Sequence, residues 1–245
     1  MEKRKKRNGQ QEEMETSSPN YQEAVQALAR MTYKSIYIID HQKKVFDYVS
    51  DNPLFLCGYS AQEVQKMGFD FYTQCIPDSD QNTLIKIMKA GFNFLQAIPI
   101  EERIQYTLAC DFHLKHRRIP VFLIHHELTP LCLTKTGELW KSICIVSLST
   151  AHHIANSKIF KRNSASTWTY NLKHNTWKPE IKPKLSLREL EILQYSIRGY
   201  QIQEIASCLY LTCDTIKFHR KKILEKLQVH TIAEAIRFAI VNKLL

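Results

Sequence analysis

"LTCDTIKFHRKK", Leu211 to Lys222, packs Lys217, Arg220, Lys221 and Lys222 into six positions, with no acid after Asp214. Like charges three and four residues apart on a helix repel one another. At about 100° per residue, Ile216, Ile223 and Leu227 share one arc, which must face a core. The opposite side carries Asp214, Lys217, Phe218 and Lys221, with Thr215 and Lys222 at its margin. Arg220 lies nearer the core edge, within reach of a phosphate or of the domain's own acids. Basic residues on the outer side of a helix are most often a wet surface. Here few acids are interspersed with them, and the helix follows a turn that projects it from a small domain. A helix in the major groove gains by displacing condensed counterions from phosphate. The missing counter-charge is therefore expected on double-stranded DNA.

The surrounding block, residues 184–245, reads as four short helices. Ser186 and Glu189 form a capping box for the first, in which each side chain satisfies an orphan N–H. Gly199 ends that helix, as a residue tolerant of left-handed backbone does. Ile205, Ala206 and Leu209 mark the second helix. "YLT" is a tight turn, and Thr212 caps the third. Thr231 and Glu234 box the fourth, which carries Ala235, Ile236, Ala239 and Ile240. Two short helices joined by a tight turn, the second one basic, form the helix-turn-helix pattern.

This block closely resembles the LuxR-type DNA-binding domain, on "LSLRELEIL", Gly199, "EIASCLYLTCDTIKFH", "KLQV" and the "EA" at 234–235. The resemblance implies an all-α four-helix domain whose third helix enters the major groove. It implies that Lys217, Phe218 and Lys221 face the bases, and that Thr212 and Thr215 meet phosphate near the helix start. Glu189 and Glu191 resemble the family's acidic pair, which is internal support. Three positions depart from the family pattern. Gln201 replaces the usual small polar cap of the second helix, Ile232 replaces a basic residue, and Lys243 stands where glycine is usual.

The chain has 245 residues and a formal net charge of +10, from 34 Lys+Arg against 24 Asp+Glu. That balance favours anionic partners and says nothing about fold. No apolar run approaches the roughly 18 residues of a membrane span. "MEKRKKRNGQQEE" has no apolar centre, so it does not read as a secretory signal. The odd count of seven cysteines, with no C-x-x-C pair, fits reduced thiols in a cytoplasm. Residues 1–18 read as a solvated basic tail, with a nucleic-acid arm as the alternative reading.

From Asn20, Tyr21, Ala24, Val25, Leu28 and Ala29 form one helical stripe. "SIYIID" and "KVFDYVS" read as an antiparallel strand pair. Ser60 and Glu63 make a second capping box. Residues 79–97 read as a helix. "IQYTLACDFHLKH", "PVFLIHHELTPLCL" and "ELWKSICIVSLS" read as three long strands in a meander. This order resembles PAS sensor domains over residues 33–150, on Asn52, "GYS" at 58–60, Glu63 and "PDSD" at 77–80. The resemblance implies a five-stranded antiparallel sheet with helices over one face, used to bind a small molecule, a cofactor or another PAS domain. Residues 151–180 read as a bridge holding a hairpin or an added strand.

The histidines at 113, 116, 125 and 126 invite a metal site, but strand alternation splits the neighbouring pairs onto opposite faces. His126, beside Phe122 and Ile124, is expected to line a ligand pocket. No cysteine stands where light-sensing PAS relatives carry their reactive one, and no histidine lies between Lys66 and Arg103 to hold haem, so no cofactor is expected. No nucleophile elbow, H-E-x-x-H or paired-carboxylate motif points to an enzyme.

The expected architecture is thus α+β. A tail (1–18) precedes a PAS-like domain with its N-terminal helix (19–150), a linker (151–180) and a helix-turn-helix domain (181–245). The expected function is a cytoplasmic transcriptional regulator acting as a homodimer on inverted half-sites, with a small-molecule or protein signal at the PAS-like domain. A second reading is a signalling adaptor whose PAS half binds protein partners, with DNA binding secondary.

Overall fold

The computed structural model describes residues 21–149, 154, 157–164, 166–242 and 244–245. The basic run Lys3 to Arg7, Asn20, the pair His152–His153 and Lys243 lie outside the described residues. The chain forms two compact units. The first ends at Arg162 and also takes in Tyr170–Trp177; the second comprises Asn163–Thr169 and Lys178–Leu245.

In the first unit the helix α1 (Tyr21–Arg30) precedes β1 (Ser35–Asp40) and β2 (Val45–Val49), which pair antiparallel. Asp40 makes the turn between them: its carboxylate accepts the N–H of Gln42 and of Lys43 at 3.0 and 2.9 Å. Helices α2 (Pro53–Leu56), α3 (Ala61–Met67), α4 (Asp70–Cys75) and α5 (Asp78–Gln96) follow. The Ser60–Glu63 box is present at the start of α3. A 3-10 helix over Ile100–Gln105, set off by Pro99, takes in Ile104 and Gln105, which were read as the start of a strand. The meander β3 (Tyr106–Leu114), β4 (Phe122–Leu133) and β5 (Leu139–Leu148) then completes an antiparallel sheet ordered β2-β1-β5-β4-β3. This is the α+β arrangement that the PAS resemblance implies.

The sheet is longer than five strands. β6 (Lys158–Lys161), β7 (Ser166–Asn171) and β8 (Thr176–Ile181) extend the order beyond β3. The tip of the β7–β8 hairpin is anchored by apolar burial: Tyr170 and Trp177 join the core, and Trp177 Nε1 donates to the Ala90 carbonyl at 3.1 Å.

Both faces of the sheet are covered, so all six residues of β1 are buried. On one face, α2 to α5 close over Tyr37, Phe46, Phe55, Phe71, Phe112 and their neighbours. On the other, Val25 and Ala29 of α1 pack against Ile36 and Ile38. Of the stripe read on α1, Ala24 and Leu28 stay exposed, because the helix touches the sheet along a line narrower than its apolar arc.

The second unit's four helices are α6 (Leu187–Ile197), α7 (Ile202–Leu209), α8 (Cys213–Leu227) and α9 (Ile232–Val241). Their core holds Ile192, Leu193, Ile205, Ile216, Ile223, Ala235 and Ala239. The carboxylate of Glu189 links two of the helices. It accepts the Ser186 N–H at 2.7 Å and the Lys226 ammonium of α8 at 2.7 Å. Burial pushes its pKa up, but Lys226 and the Ser186 cap outweigh that and hold it below the usual glutamate value. Glu189→Ala removes a cap worth about 1 kcal/mol and a charge-assisted bond worth roughly 1.5–3 kcal/mol. It is expected to lower this unit's unfolding midpoint clearly. Glu191→Ala breaks only an exposed pair with Arg188 and is expected to shift stability by less than about 1 kcal/mol. Circular-dichroism melts of the two variants make the comparison.

Candidate nucleic-acid interface

The flank of α8 that faces the core is Ile216, Ile223 and Leu227, all buried. Each turn of the helix therefore presents its other side to solvent. Lys217, Phe218, Lys221 and Lys222 are exposed there, and Phe218 keeps 54% of its surface in solvent. Thr212 caps the helix by accepting the Thr215 N–H at 3.1 Å, and the two hydroxyls share a further hydrogen bond at 2.8 Å. The predicted contact residues thus lie on one continuous surface, running from the turn to the middle of the helix.

The counter-charge is less absent than the local sequence implies. Lys217 Nζ lies 3.0 Å from Asp214 and Lys221 Nζ 3.9 Å from Glu225, both solvent-exposed pairs one helical turn apart. Such pairs contribute well under 1 kcal/mol and exchange readily for phosphate. Lys222 has a different neighbour: its ammonium sits 4.4 Å from the centre of the Phe218 ring. That cation–π contact holds the aromatic edge beside the basic row. Arg220 is half-buried, and burial lowers its pKa. Its Nε is enclosed without a hydrogen-bond partner, and it makes no ion pair among the described residues. Of the alternatives read for Arg220, the domain's own acids are not taken.

Gln201 departs from the family's cap, yet the start of α7 is satisfied from its third residue. The Glu204 carboxylate accepts the Gln201 N–H at 2.6 Å. The Glu234 carboxylate likewise accepts an N–H before α9, that of His230 at 2.8 Å, while Thr231 accepts from Glu234 N. Ile232 packs against the helical core, which accounts for an apolar residue at that position.

In the first unit, Phe122, Ile124 and His126 lie on the core-facing side of β4. Ile124 and His126 are buried and Phe122 is half-buried. His126 Nε2 is 2.6 Å from the Tyr37 hydroxyl, which is itself 3.0 Å from the Tyr72 hydroxyl. Cys110 Sγ lies 3.8 Å from Nδ1. Tyr37 stacks on Phe55 with ring centres 4.1 Å apart, and Phe46 meets the edges of both. Burial pushes the His126 pKa down to about 3, so the ring is neutral. Phe122, Ile124 and His126 are thus brought together, within a zone occupied by packed rings.

The residue pattern does not reveal two acid–histidine pairs. Asp80 of α5, buried, accepts both the backbone N–H and Nδ1 of His113 at 2.9 Å. Asp111, also buried, lies 2.7 Å from His125 Nδ1 on the adjacent strand. The second pair was readable only with the β3–β4 register in hand. Among the described residues, no group of three or more His, Cys, Asp or Glu could hold a metal ion. No helix among them is long and apolar enough to cross a membrane.

Residues 183–239 match the family described as bacterial regulatory proteins, luxR family. The response regulator protein VraR of Staphylococcus aureus is 39% identical over 66 residues, which are 27% of this chain and 32% of VraR. The chain thus spans about a third of the length of the curated relatives it matches. Among solved structures, a Vibrio cholerae VqmA dimer is 14% identical, with 89% of this chain and 86% of that one covered and a TM-score of 0.32. A PAS domain from Colwellia psychrerythraea is 11% identical, covering 54% of this chain and 98% of that one, with a TM-score of 0.39. Residues 183–239 form a LuxR-type helix-turn-helix domain, and the N-terminal unit has the antiparallel sheet with helices over one face that the PAS resemblance implies.

Proposed function

We propose that this protein is a DNA-binding transcriptional regulator of the cytoplasm, in which α8 reads the major groove. One observation carries this reading. The cations and the aromatic of α8 share the flank opposite its buried arc, so the helix is anchored on one side and free on the other. Lys217, Phe218 and Lys221 then face base edges, where Phe218 can meet a thymine methyl. Thr212, Thr215, Lys222 and Arg220 serve the phosphates, and Arg220 brings a guanidinium that has no acid to leave. The domains in this reading are 19–150 and 181–245, joined by 151–180. The protein acts as a homodimer on inverted half-sites, because one small domain buries too little surface for high specificity. The PAS-like domain receives the signal, with Phe122, Ile124 and His126 on its inner wall.

Selection of bound sequences from a random duplex library tests the proposal. Enrichment of two inverted copies of a short motif is the expected result. A library that emerges without any enriched sequence would rule out specific readout.

A further inference from the structure

Among the described residues, no large apolar side chain is more exposed than Tyr210, at 95%. It stands in the turn between α7 and α8, two residues before the Thr212 cap. Its backbone is left-handed, at φ 54° and ψ 44°, and its N–H closes α7 on the carbonyls of Ala206 and Ser207. In that conformation a Cβ crowds the following carbonyl, so glycine or asparagine usually fills the place. Gly199 does so after α6, at φ +86°. Nothing inside the unit offsets the cost at Tyr210. Among the described residues its ring packs on no other ring or cation, and its hydroxyl has no hydrogen-bond partner. Folding alone gives no reason for a tyrosine here: the ring stays wet, and the backbone suits a smaller residue. Such outliers point to a task outside the fold.

The turn sets the phenol at the border of the surface that α8 presents. Leu211 packs inward on the helical core, which leaves Tyr210 and Thr212 facing out on either side of it. Beyond Thr212 the exposed surface continues to Lys217 and Phe218. The acid of this stretch, Asp214, is held by Lys217 at 3.0 Å. A phenol brings one O–H donor and no charge. Its ring turns about only two bonds, so ordering it against a partner costs little. Tyrosine hydroxyls are among the groups that hydrogen-bond the phosphate oxygens of a duplex.

We propose that Tyr210 is a phosphodiester contact. Its hydroxyl donates to a phosphate oxygen of the strand that passes the turn, beside the phosphate met by Thr212, and so fixes how α8 is seated in the groove. The assignment rests on the reading of α8 as the groove helix and adds a neutral contact to its cationic row. Such a contact carries no sequence information and displaces no condensed cation. The full chain is titrated by fluorescence anisotropy, over a range of salt, with the selected duplex and a scrambled one of equal length. Tyr210→Gly suits the left-handed backbone, so its unfolding midpoint should equal the wild-type value or exceed it. It should weaken both duplexes by the same factor, about tenfold, the loss of one hydrogen bond to a charged group. The slope of log affinity against log salt should not change. Tyr210→Phe keeps the ring and should lose most of the same affinity. Wild-type affinity of Tyr210→Gly for both duplexes, a loss confined to the selected duplex, or full affinity in Tyr210→Phe would each overturn the assignment. A clearly lower unfolding midpoint in Tyr210→Gly would do so too, since the ring would then be supporting the fold. Wild-type binding, read with Lys217→Ala and Lys221→Ala, tests the α8 assignment by itself, so the two proposals fail separately.

Discussion

Replacing Lys217 and Lys221 together with alanine is expected to weaken binding to the selected duplex by roughly tenfold to a hundredfold per lysine, the usual loss for a side chain in the groove. The slope of log affinity against log salt should flatten by about 0.9 for every phosphate that these lysines neutralise. Two structural features push the loss toward the larger end. Lys217 neutralises Asp214 at 3.0 Å, so its removal leaves a carboxylate facing the phosphates. Lys221 stands in the same relation to Glu225. The variant should fold normally, since both ammonium groups are solvent-exposed and absent from the helical core. Lys89→Ala, an exposed lysine of α5 in the other unit, controls for net charge and should leave the slope nearly unchanged. If the double variant keeps wild-type affinity and slope, α8 does not lie in a groove.

Acid should destabilise the PAS-like unit already at pH 5, above the range in which ordinary carboxylates titrate. His126 and His41 are held neutral by burial, with pKa values pushed down to about 3 and about 4. An unfolded histidine titrates near 6.5. Because the folded values lie below the unfolded one, the stability these rings contribute is complete above about pH 6.5. It is lost progressively as pH falls toward 4 and 3. At pH 5 each ring costs roughly 2 kcal/mol, and the two together roughly 4 kcal/mol. That is a large part of the about 5–15 kcal/mol that stabilises a typical domain. Urea denaturation at pH 7, 6 and 5 reads the effect. His41→Gln should remove about half of it. Stability that stays level from pH 7 to pH 5 would show that neither ring is buried as described.

The helical domain was legible in the sequence because its signals are local. Ser186, Thr212 and Thr231 mark the helix starts, and the wheel of α8 separates Ile216 and Ile223 from Lys217 and Lys221. What locality hides is who answers a charge. Glu204 rescues the start of α7, and Lys226 reaches across to Glu189, 37 residues away in sequence. In the PAS-like unit the strands announced themselves through β-branched and aromatic runs. Of the three further strands, β7 and β8 fall where the sequence reads as a hairpin or an added strand, whereas β6, four residues bounded by Lys158 and Lys161, carries no such signal.

Of the four helix starts in the C-terminal unit, three carry a glutamate at the third residue: Glu189, Glu204 and Glu234. At α8 that place belongs to Thr215, and the capping oxygen is the Thr212 hydroxyl. A carboxylate there would have strengthened the helix and left a fixed negative pole aimed at whatever approaches. With two hydroxyls instead, the first turn of α8 carries a single carboxylate, Asp214, and that one is paired with Lys217, so an incoming phosphodiester meets the positive end of the peptide dipoles with less negative charge in its way. The reading helix thus gives up a little intrinsic stability at the end where its partner is also an anion.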